Sequence, residues 1–264
     1  MIEIEIDAKP YHALSYLNAG PKRTGYYYDT LPFLRGRVRG LPSGWAALVA
    51  TGDLQGRSDF GDADETLLGV TVADELPEVQ EIAGLPDPTE CLGFMAGDFY
   101  TVPNASKRGG TGDVRLVWQI MAETFGELCG VAGNHDTFGE GKGASSRPPQ
   151  ACLDGRVVTL GALRIGGVSG IDGGGGFGLQ RKEPGHYANL LDSVLRERPD
   201  ILVLHAAPFV DKRHVGSQMI ADLLRDSGFA GLVICGHCSW PERIQQIGQA
   251  TVLNVHEAVV TLGE

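Results

Sequence analysis

Five short apolar runs along the chain end in the same way. Each has the length of a buried strand, and each ends in glycine or in a cluster of Asp, Asn or His. The runs are WAALVATGDLQG (45–56), CLGFMAGDF (91–99), LCGVAGNHD (128–136), DILVLHAAP (200–208) and GLVICGHCS (231–239). A further run, LRIGGVSGI (163–171), predicts another strand between the third and the fourth.

Helix-like segments separate these runs. They cover residues 65–82, 113–128, 186–197 and 216–228, and Pro77 is expected to break the first of them. Alternating strands and helices predict a largely parallel sheet that is covered by helices. In such a sheet the carboxyl ends of the strands line the ligand crevice, so we expect the five polar clusters to converge there.

The composition is that of one globular α/β domain. The chain has 264 residues, of which 42% are hydrophobic and 21% charged. No segment approaches the roughly 18 apolar residues of a membrane span. The first residues, MIEIEIDAKPYH, carry acids where a signal peptide has bases. Five sparsely spread cysteines fit reduced thiols. Together these features predict a cytoplasmic protein without a membrane partner.

The net charge narrows the class of ligand. At −11, the chain offers no evident surface for long nucleic acids, which need clustered Lys and Arg. A small phosphorylated substrate or a nucleotide stays compatible with this charge, because a bound metal ion can supply positive charge locally. We therefore expect a small phosphorylated substrate or nucleotide as the ligand.

The polar clusters, taken in order, are similar to the signatures of one family. They read Asp53-Leu54-Gln55, Gly97-Asp98, Gly133-Asn134-His135-Asp136, His205 and Gly236-His237-Cys238-Ser239. In this order, and over residues 45–260, the chain resembles the calcineurin-like metallophosphoesterase superfamily. The resemblance implies an α/β fold, a four-layer α/β/β/α sandwich, formed as a single domain by residues 45–264. Residues 1–44 are then expected to be an N-terminal extension packed on that core.

The resemblance also implies a mechanism and a role for each residue. Two divalent metal ions would be bridged by Asp98, and a metal-bound hydroxide would hydrolyse a phosphomono- or phosphodiester. Asn134, His205 and His237 would complete one metal site, whereas Asp53, Gln55 and position 239 would belong to the other. His135 would contact the phosphate and protonate the leaving oxygen, oriented by a carboxylate for which Asp136 is the candidate.

One of the two expected metal sites departs from the family pattern. Gln55 and Ser239 stand where the family has histidine. An amide oxygen can coordinate a metal, but a serine hydroxyl is a poor ligand, so this site is expected to be weaker and to prefer hard cations. Mn²⁺ is favoured, with Mg²⁺, Fe and Zn²⁺ as alternatives. Cys238 and His256 are candidate replacements for the missing histidines.

A second interpretation of residues 233–242 is a redox pair. Cys235 and Cys238 have the C-x-x-C spacing of disulfide oxidoreductases, in which the first thiol lies at the start of a helix. Here Ser-Trp-Pro follows, and then RIQQIGQATVLNV, which alternates like two strands with a glycine turn. We therefore predict that both cysteines are inert buried thiols.

Residues 173–178 formally match the dinucleotide fingerprint G-x-G-x-x-G. In that fingerprint a helix starts at once, yet Pro184 and Gly185 follow here. The segment is interpreted as a loop near the site, either simply solvated or with Arg181, Lys182 and His186 as phosphate contacts. Two other functions stay open: a catalytically impaired family member that acts as a metal-stabilised binding protein, and a dinucleotide-dependent oxidoreductase.

Overall fold

Two β-sheets pack face to face, and two helices cover the outer side of each sheet. The computed structural model describes residues 2–20, 25–41, 44–58, 66–107, 109–139, 148–174 and 180–263. The helices are α1 (Leu68–Ile82), α2 (Arg115–Thr124), α3 (Pro184–Arg196) and α4 (Gln218–Asp226). The expected four-layer α/β/β/α sandwich is confirmed.

The two large sheets contain thirteen strands, and four short strands form two further pairs. In chain order the strands are β1 (Glu3–Ile6), β2 (His12–Ala19), β3 (Tyr26–Arg39), β4 (Ala47–Gly52), β5 (Cys91–Met95), β6 (Gly112–Asp113), β7 (Glu127–Gly130), β8 (Asp136–Thr137), β9 (Arg156–Leu160), β10 (Leu163–Val168), β11 (Ile171–Asp172), β12 (Arg181–Lys182), β13 (Ile201–Ala206), β14 (Leu232–Gly236), β15 (Ile244–Ile247), β16 (Ala250–Asn254) and β17 (Ala258–Gly263). The first sheet has the order β1-β3-β17-β4-β5-β7, with β2 paired to β3. The second has the order β15-β16-β14-β13-β10-β9.

Within each sheet, the strands predicted from the apolar runs are parallel to one another. In the first sheet β4, β5 and β7 are parallel, and in the second β10, β13, β14 and β16 are parallel. Antiparallel strands are added around them, since β17 runs opposite to β4, β9 to β10 and β15 to β16. The N-terminal strands β1–β3 extend the first sheet because β3 pairs with β17. A domain boundary at residue 45 stays a prediction.

Apolar side chains fill the three spaces between the four layers. The inner faces of both sheets meet through residues such as Phe94 and Val203, both fully buried. Leu76 and Trp118 pack α1 and α2 onto the first sheet, and Leu191 belongs to the matching cluster under α3 and α4. None of the helices in the described ranges has both the length and the hydropathy needed to cross a bilayer.

Helix α1 runs through Pro77, so the predicted break at this residue is wrong. Proline lacks an N–H and removes one hydrogen bond from a helix interior. The residues around Pro77 nevertheless bury the apolar face of the helix, because Val72, Leu76 and Val79 all belong to the core under the first sheet. This burial, at about 1.5–3 kcal/mol for each large side chain, outweighs the loss of one hydrogen bond.

Candidate metal centre

The predicted site residues follow the carboxyl ends of strands in both sheets. Asp53 and Asp98 come after β4 and β5, and Asn134 comes after β7, all in the first sheet. His205 lies near the end of β13 and His237 directly follows β14, both in the second sheet. The two sheets therefore contribute to one site at the same edge of the sandwich, as the convergence argument predicted.

Three of these residues have a left-handed backbone. Asp53, Asp98 and His237 have φ angles of 56°, 61° and 66°, which are uncommon for residues other than glycine. Such strain collects at functional sites, because it turns a side chain sharply off the end of its strand. The neighbouring glycines make room for these turns. A Cβ at Gly133 would overlap the carboxylate of Asp98, and a Cβ at Gly236 would overlap that of Asp53.

Asp98, His205 and His237 form a cluster that could hold a metal ion. One ligand atom from each lies within 4.8 Å of the others. Oδ2 of Asp98 lies 3.4 Å from Nε2 of His205, and the two imidazole rings are 5.0 Å apart. His205 and Asp98 are almost fully buried, whereas His237 is half-buried. The cluster thus has a closed inner side and an open outer side.

The ring of His205 faces several hydrogen-bond acceptors. Its Nδ1 lies 2.8 Å from the carbonyl oxygen of Ala96, to which it donates. Nε2 of the neutral ring is then an acceptor, yet it faces Oδ1 of Asn134 at 3.1 Å and the carboxylate of Asp98. Acceptors that face one another in a buried site need a cation between them, which is either a proton or a metal ion.

The pKa shifts of the clustered residues also indicate that the site favours positive charge. Burial favours the neutral ring of His205, but the carboxylates of Asp98 and Asp53 outweigh burial and raise the pKa of His205. Burial would raise the pKa of Asp98, yet His205 and His135 lower it overall. Burial and the charge of His205 lower the pKa of His237, which keeps its imidazole neutral and able to bind a metal.

The amide of Asn134 fits a metal ligand. Its Oδ1 faces Nε2 of His205 at 3.1 Å, and its buried Nδ2 has no hydrogen-bond partner among the described residues. The amide oxygen is thus directed at the cluster, where it can bind a metal ion. Carboxylate, imidazole and amide oxygen together are a donor set for Mn²⁺, Mg²⁺, Fe or Zn²⁺, so the residues present fit a divalent metal ion.

Asp136 lies beside this cluster but contacts different atoms from those expected. Its carboxylate accepts three backbone hydrogen bonds of 2.8 Å, from the N–H groups of Asp98, Phe99 and Gly133. Burial and the charge of Asp98 raise the pKa of Asp136. The contacts described for the His135 ring are instead with Thr111, whose Oγ1 lies 3.5 Å from Nδ1. Asp136 thus holds the two metal loops together, which differs from the predicted orientation of His135.

His135 is half-buried and contacts the cluster through its backbone. Its backbone N–H donates to Oδ1 of Asp98 at 2.8 Å, so its position is fixed relative to the metal ligands. Its ring is half-buried and stands next to Gly109, where a Cβ would lie 3.3 Å from Cε1 of the ring. The sequence did not point to Thr111 or Gly109, because both lie in a loop without a motif.

The second half of the predicted centre has fewer strong ligands. Nε2 of Gln55 lies 3.4 Å from Oδ2 of Asp98, so the Gln55 amide faces the cluster, whereas Ser239 is exposed. His256 approaches from a segment without a motif, with its Nδ1 3.1 Å from Oδ2 of Asp53. The sequence did carry a signal for His256, since it directly follows the strand-like run that ends in LNV.

The two cysteines after β14 are arranged as inert thiols. Burial raises the pKa of Cys235 well above its usual value and also raises the pKa of Cys238. Both side chains belong to the apolar layer under α3 and α4, and no helix starts after them in the described chain. Cys235 is buried and Cys238 is half-buried. The raised pKa values are consistent with inert thiols, since a reactive thiol needs a lowered pKa.

The glycine-rich segment gives no support to a dinucleotide site. Residues 175–179 lie outside the described residues, and the following helix, α3, begins only at Pro184. Lys182 is fully buried, with its Nζ donating to the carbonyl oxygen of Ser169 at 2.8 Å and lying 3.1 Å from Asp154. Of the two interpretations of this segment, a phosphate contact by Lys182 is not supported, because its ammonium group is used within the fold.

Comparison with solved structures identifies the fold. No protein-family model matches the chain, and no curated protein matches it. TT1561 of Thermus thermophilus superposes with a TM-score of 0.52 at 12% identity, over 83% of this chain and 99% of that one. Zinc-complexed Vps29 of Entamoeba histolytica has a TM-score of 0.35 at 15% identity, over 79% of this chain and 72% of that one. Vps29 of Chaetomium thermophilum has a TM-score of 0.33 at 15% identity, over 80% and 72%. The chain has the calcineurin-like metallophosphoesterase fold.

Proposed function

We propose that the protein is a metal-dependent phosphoesterase that hydrolyses a phosphomonoester or a phosphodiester. The observation that carries this proposal is the cluster of Asp98, His205 and His237, which joins the strand ends of both sheets. Buried carboxylate and imidazole groups that face one another need a cation. The same fold edge also carries a half-buried histidine, His135, within the loop that holds the metal ligands.

Two divalent ions would be held by different parts of the cluster. Asp98, Asn134, His205 and His237 would hold one ion, and Asp53, Gln55 and Asp98 would hold the other. When bound, these ions would neutralise the charge of the phosphate oxygens and lower the pKa of a bound water molecule to near neutral. Mn²⁺ suits this set best because oxygen ligands outnumber imidazoles, with Mg²⁺, Fe and Zn²⁺ as alternatives.

The chain's own residues would bind and orient the ester. The half-buried ring of His135 would contact a phosphate oxygen and give a proton to the leaving alcohol. The hydrogen bond from its backbone to Asp98 keeps that ring at a fixed place relative to the ions. Asp136 would act as a positioning residue, because its carboxylate accepts hydrogen bonds from the backbone of the loops after β5 and β7.

A cavity next to His237 would receive the rest of the substrate. Its volume is about 570 Å³, and Asp172, Ser217 and Met219 are among the residues that line it together with His237. This size suits a small phosphorylated molecule or a nucleotide. The high negative charge of the chain also favours such a ligand over a long nucleic acid.

Hydrolysis of two chromogenic esters tests the proposal. Protein stripped by a chelator would be assayed with p-nitrophenyl phosphate and bis-p-nitrophenyl phosphate, before and after Mn²⁺ is returned. We expect hydrolysis to vanish and to return with Mn²⁺, but not in Asp98→Asn. An unchanged rate in chelator would overturn the proposal. Bound metal without hydrolysis of either ester would favour the metal-stabilised binding protein, and bound NAD would favour the oxidoreductase.

A further inference from the structure

One half of the metal centre lacks the imidazoles that the other half has. Asp53 and Asp98 offer carboxylates and Gln55 offers an amide, while Ser239 is exposed. Among the described residues, three-ligand clusters of His, Cys, Asp and Glu include only Asp98, His205 and His237. An ion held at Asp53 would therefore need a further ligand besides Asp98 and Gln55.

His256 is placed to be that ligand. Its Nδ1 lies 3.1 Å from Oδ2 of Asp53, and the ring is largely buried, with 16% of the side chain exposed. Among the described residues this nitrogen has no well-aligned hydrogen-bond partner, although the Asp53 carboxylate is close enough for an ion pair. Two neighbouring ligands of an octahedral ion, each about 2.1 Å from it, lie about 3 Å apart. The spacing of the two atoms matches that arrangement.

The backbone around His256 is fixed by both sheets. The segment crosses from β16 in the second sheet to β17 in the first, and it meets the end of β4 at Gly52. The N–H of His256 donates to Oδ1 of Asn254 at 2.9 Å, and Arg243 donates to the carbonyl oxygen of His256 at 2.8 Å. The N–H of Glu257 donates to the carbonyl oxygen of Gly52 at 3.1 Å. Because the backbone is fixed, less conformational entropy is lost when the side chain binds an ion.

The other ring nitrogen faces a carboxylate. Nε2 of His256 lies 3.7 Å from Oε2 of Glu257, whose side chain is more exposed. Metal-binding histidines commonly direct their second nitrogen at a carboxylate or a carbonyl, which fixes the tautomer and strengthens the ligand. His205 directs its Nδ1 at the carbonyl oxygen of Ala96 at 2.8 Å, whereas the contact of His256 with Glu257 is longer and is an ion-pair distance. Each ring thus has one nitrogen beside an oxygen outside the proposed centre.

We propose that His256 supplies the imidazole ligand for the ion at Asp53, in place of the histidines that Gln55 and Ser239 replace. This inference rests on the two-ion centre of the proposed function. Cys238 is the competing candidate, but its side chain packs in the apolar layer under α3 and α4. The imidazole ring of His256, in contrast, contacts the carboxylate of Asp53 directly.

Metal titration without substrate tests the assignment. Metal-free protein would be titrated with Mn²⁺ by calorimetry, as wild type, His256→Ala and His256→Gln. We expect two ions in the wild type, and in both variants a loss of one ion or at least about tenfold weaker binding of it. His12→Ala serves as the matched control, because His12 is a partly exposed histidine that lies 3.9 Å from Glu75. It should bind two ions as the wild type does.

A spectroscopic measurement separates a ligand from a residue that only orients Asp53. If His256 binds the ion, the electron paramagnetic resonance signal of Mn²⁺ should show one imidazole nitrogen coupling fewer in His256→Gln than in the wild type. If His256 only orients Asp53, the substitution would leave the nitrogen couplings unchanged. Unchanged couplings, or a wild type that binds one ion, would overturn the inference. Absence of ester hydrolysis with two ions bound would overturn the proposed function alone.

Discussion

The carboxylate of Asp136 accepts the backbone N–H of Asp98 at 2.8 Å, and so ties the loop after β7 to the loop after β5. The same carboxylate accepts the N–H groups of Phe99 and Gly133. Asp98 in turn accepts the N–H of His135 at 2.8 Å. The two loops therefore hold each other through a pair of buried carboxylates, independently of any bound ion.

Removing the Asp136 carboxylate should destabilise the fold. Asp136→Ala leaves three buried N–H groups without an acceptor, and we expect a loss of about 2–4 kcal/mol in the free energy of unfolding. Asp136→Asn keeps one acceptor oxygen and should lose less. Urea unfolding of the metal-free proteins measures both losses. Equal stability of Asp136→Ala and the wild type would show that the three hydrogen bonds contribute nothing.

Much of this arrangement could be predicted from the sequence. Buried strands that end in polar clusters bring their ends together whenever the strands are parallel, so Asp98, His205 and His237 could be expected in one place. His256 could be named as a candidate ligand, but its position beside Asp53 depends on a crossing between two sheets, which the local sequence does not predict. The N-terminal strand β3 is also not predicted by the hydrophobic pattern, because Gly, Pro and Arg interrupt its alternation of buried and exposed residues.

Metal removal should lower the thermal stability of the protein. An ion that binds only the folded state stabilises it by about 2.7 kcal/mol when its free concentration is a hundred times the Kd. We expect the unfolding temperature to fall with chelator and to rise again with Mn²⁺. Asp98→Asn, which removes the shared carboxylate, should show little change on either addition. A wild type whose unfolding temperature ignores both additions would contradict a folded-state metal site.

The cysteines should be slow to react and dispensable for hydrolysis. Burial raises the pKa of Cys235 and Cys238, so little thiolate is present at pH 7 to 8. Alkylation by iodoacetamide, followed by mass spectrometry, should be much slower in the folded than in the unfolded protein. Cys235→Ser combined with Cys238→Ser should keep phosphoesterase activity within about tenfold. A loss as large as that of His237→Ala would make Cys238 a ligand.

Lys182 should matter for stability and not for substrate binding. Its ammonium group pairs with Asp154 and donates to the carbonyl oxygen of Ser169, so Lys182→Met removes both contacts. Asp154 keeps the hydrogen bond that it accepts from the backbone N–H of Ser169 at 3.0 Å. We expect a loss of roughly 2–3 kcal/mol in the free energy of unfolding, because Asp154 keeps some contact with solvent. Arg181→Met, an exposed change in the same strand, is the stability control. A raised KM at unchanged stability for Lys182→Met would restore its role as a phosphate contact.

A histidine at position 55 should compensate for the loss of His256. Gln55 faces Asp98, with 3.4 Å between its Nε2 and the carboxylate, so an imidazole at this position would reach the same half of the centre. A neutral imidazole binds transition metals more strongly than an amide oxygen does. Gln55→His should therefore tighten the weaker ion by about tenfold, and it should restore that ion in a His256→Ala background. Ser239→His is the comparison variant, since Ser239 is exposed and a histidine there should restore less binding.

Calorimetric titration with Mn²⁺ and Zn²⁺ measures the affinity of both variants for the weaker ion. If Gln55→His binds no more tightly than the wild type and rescues nothing, the ion at Asp53 is held by residues other than these two positions.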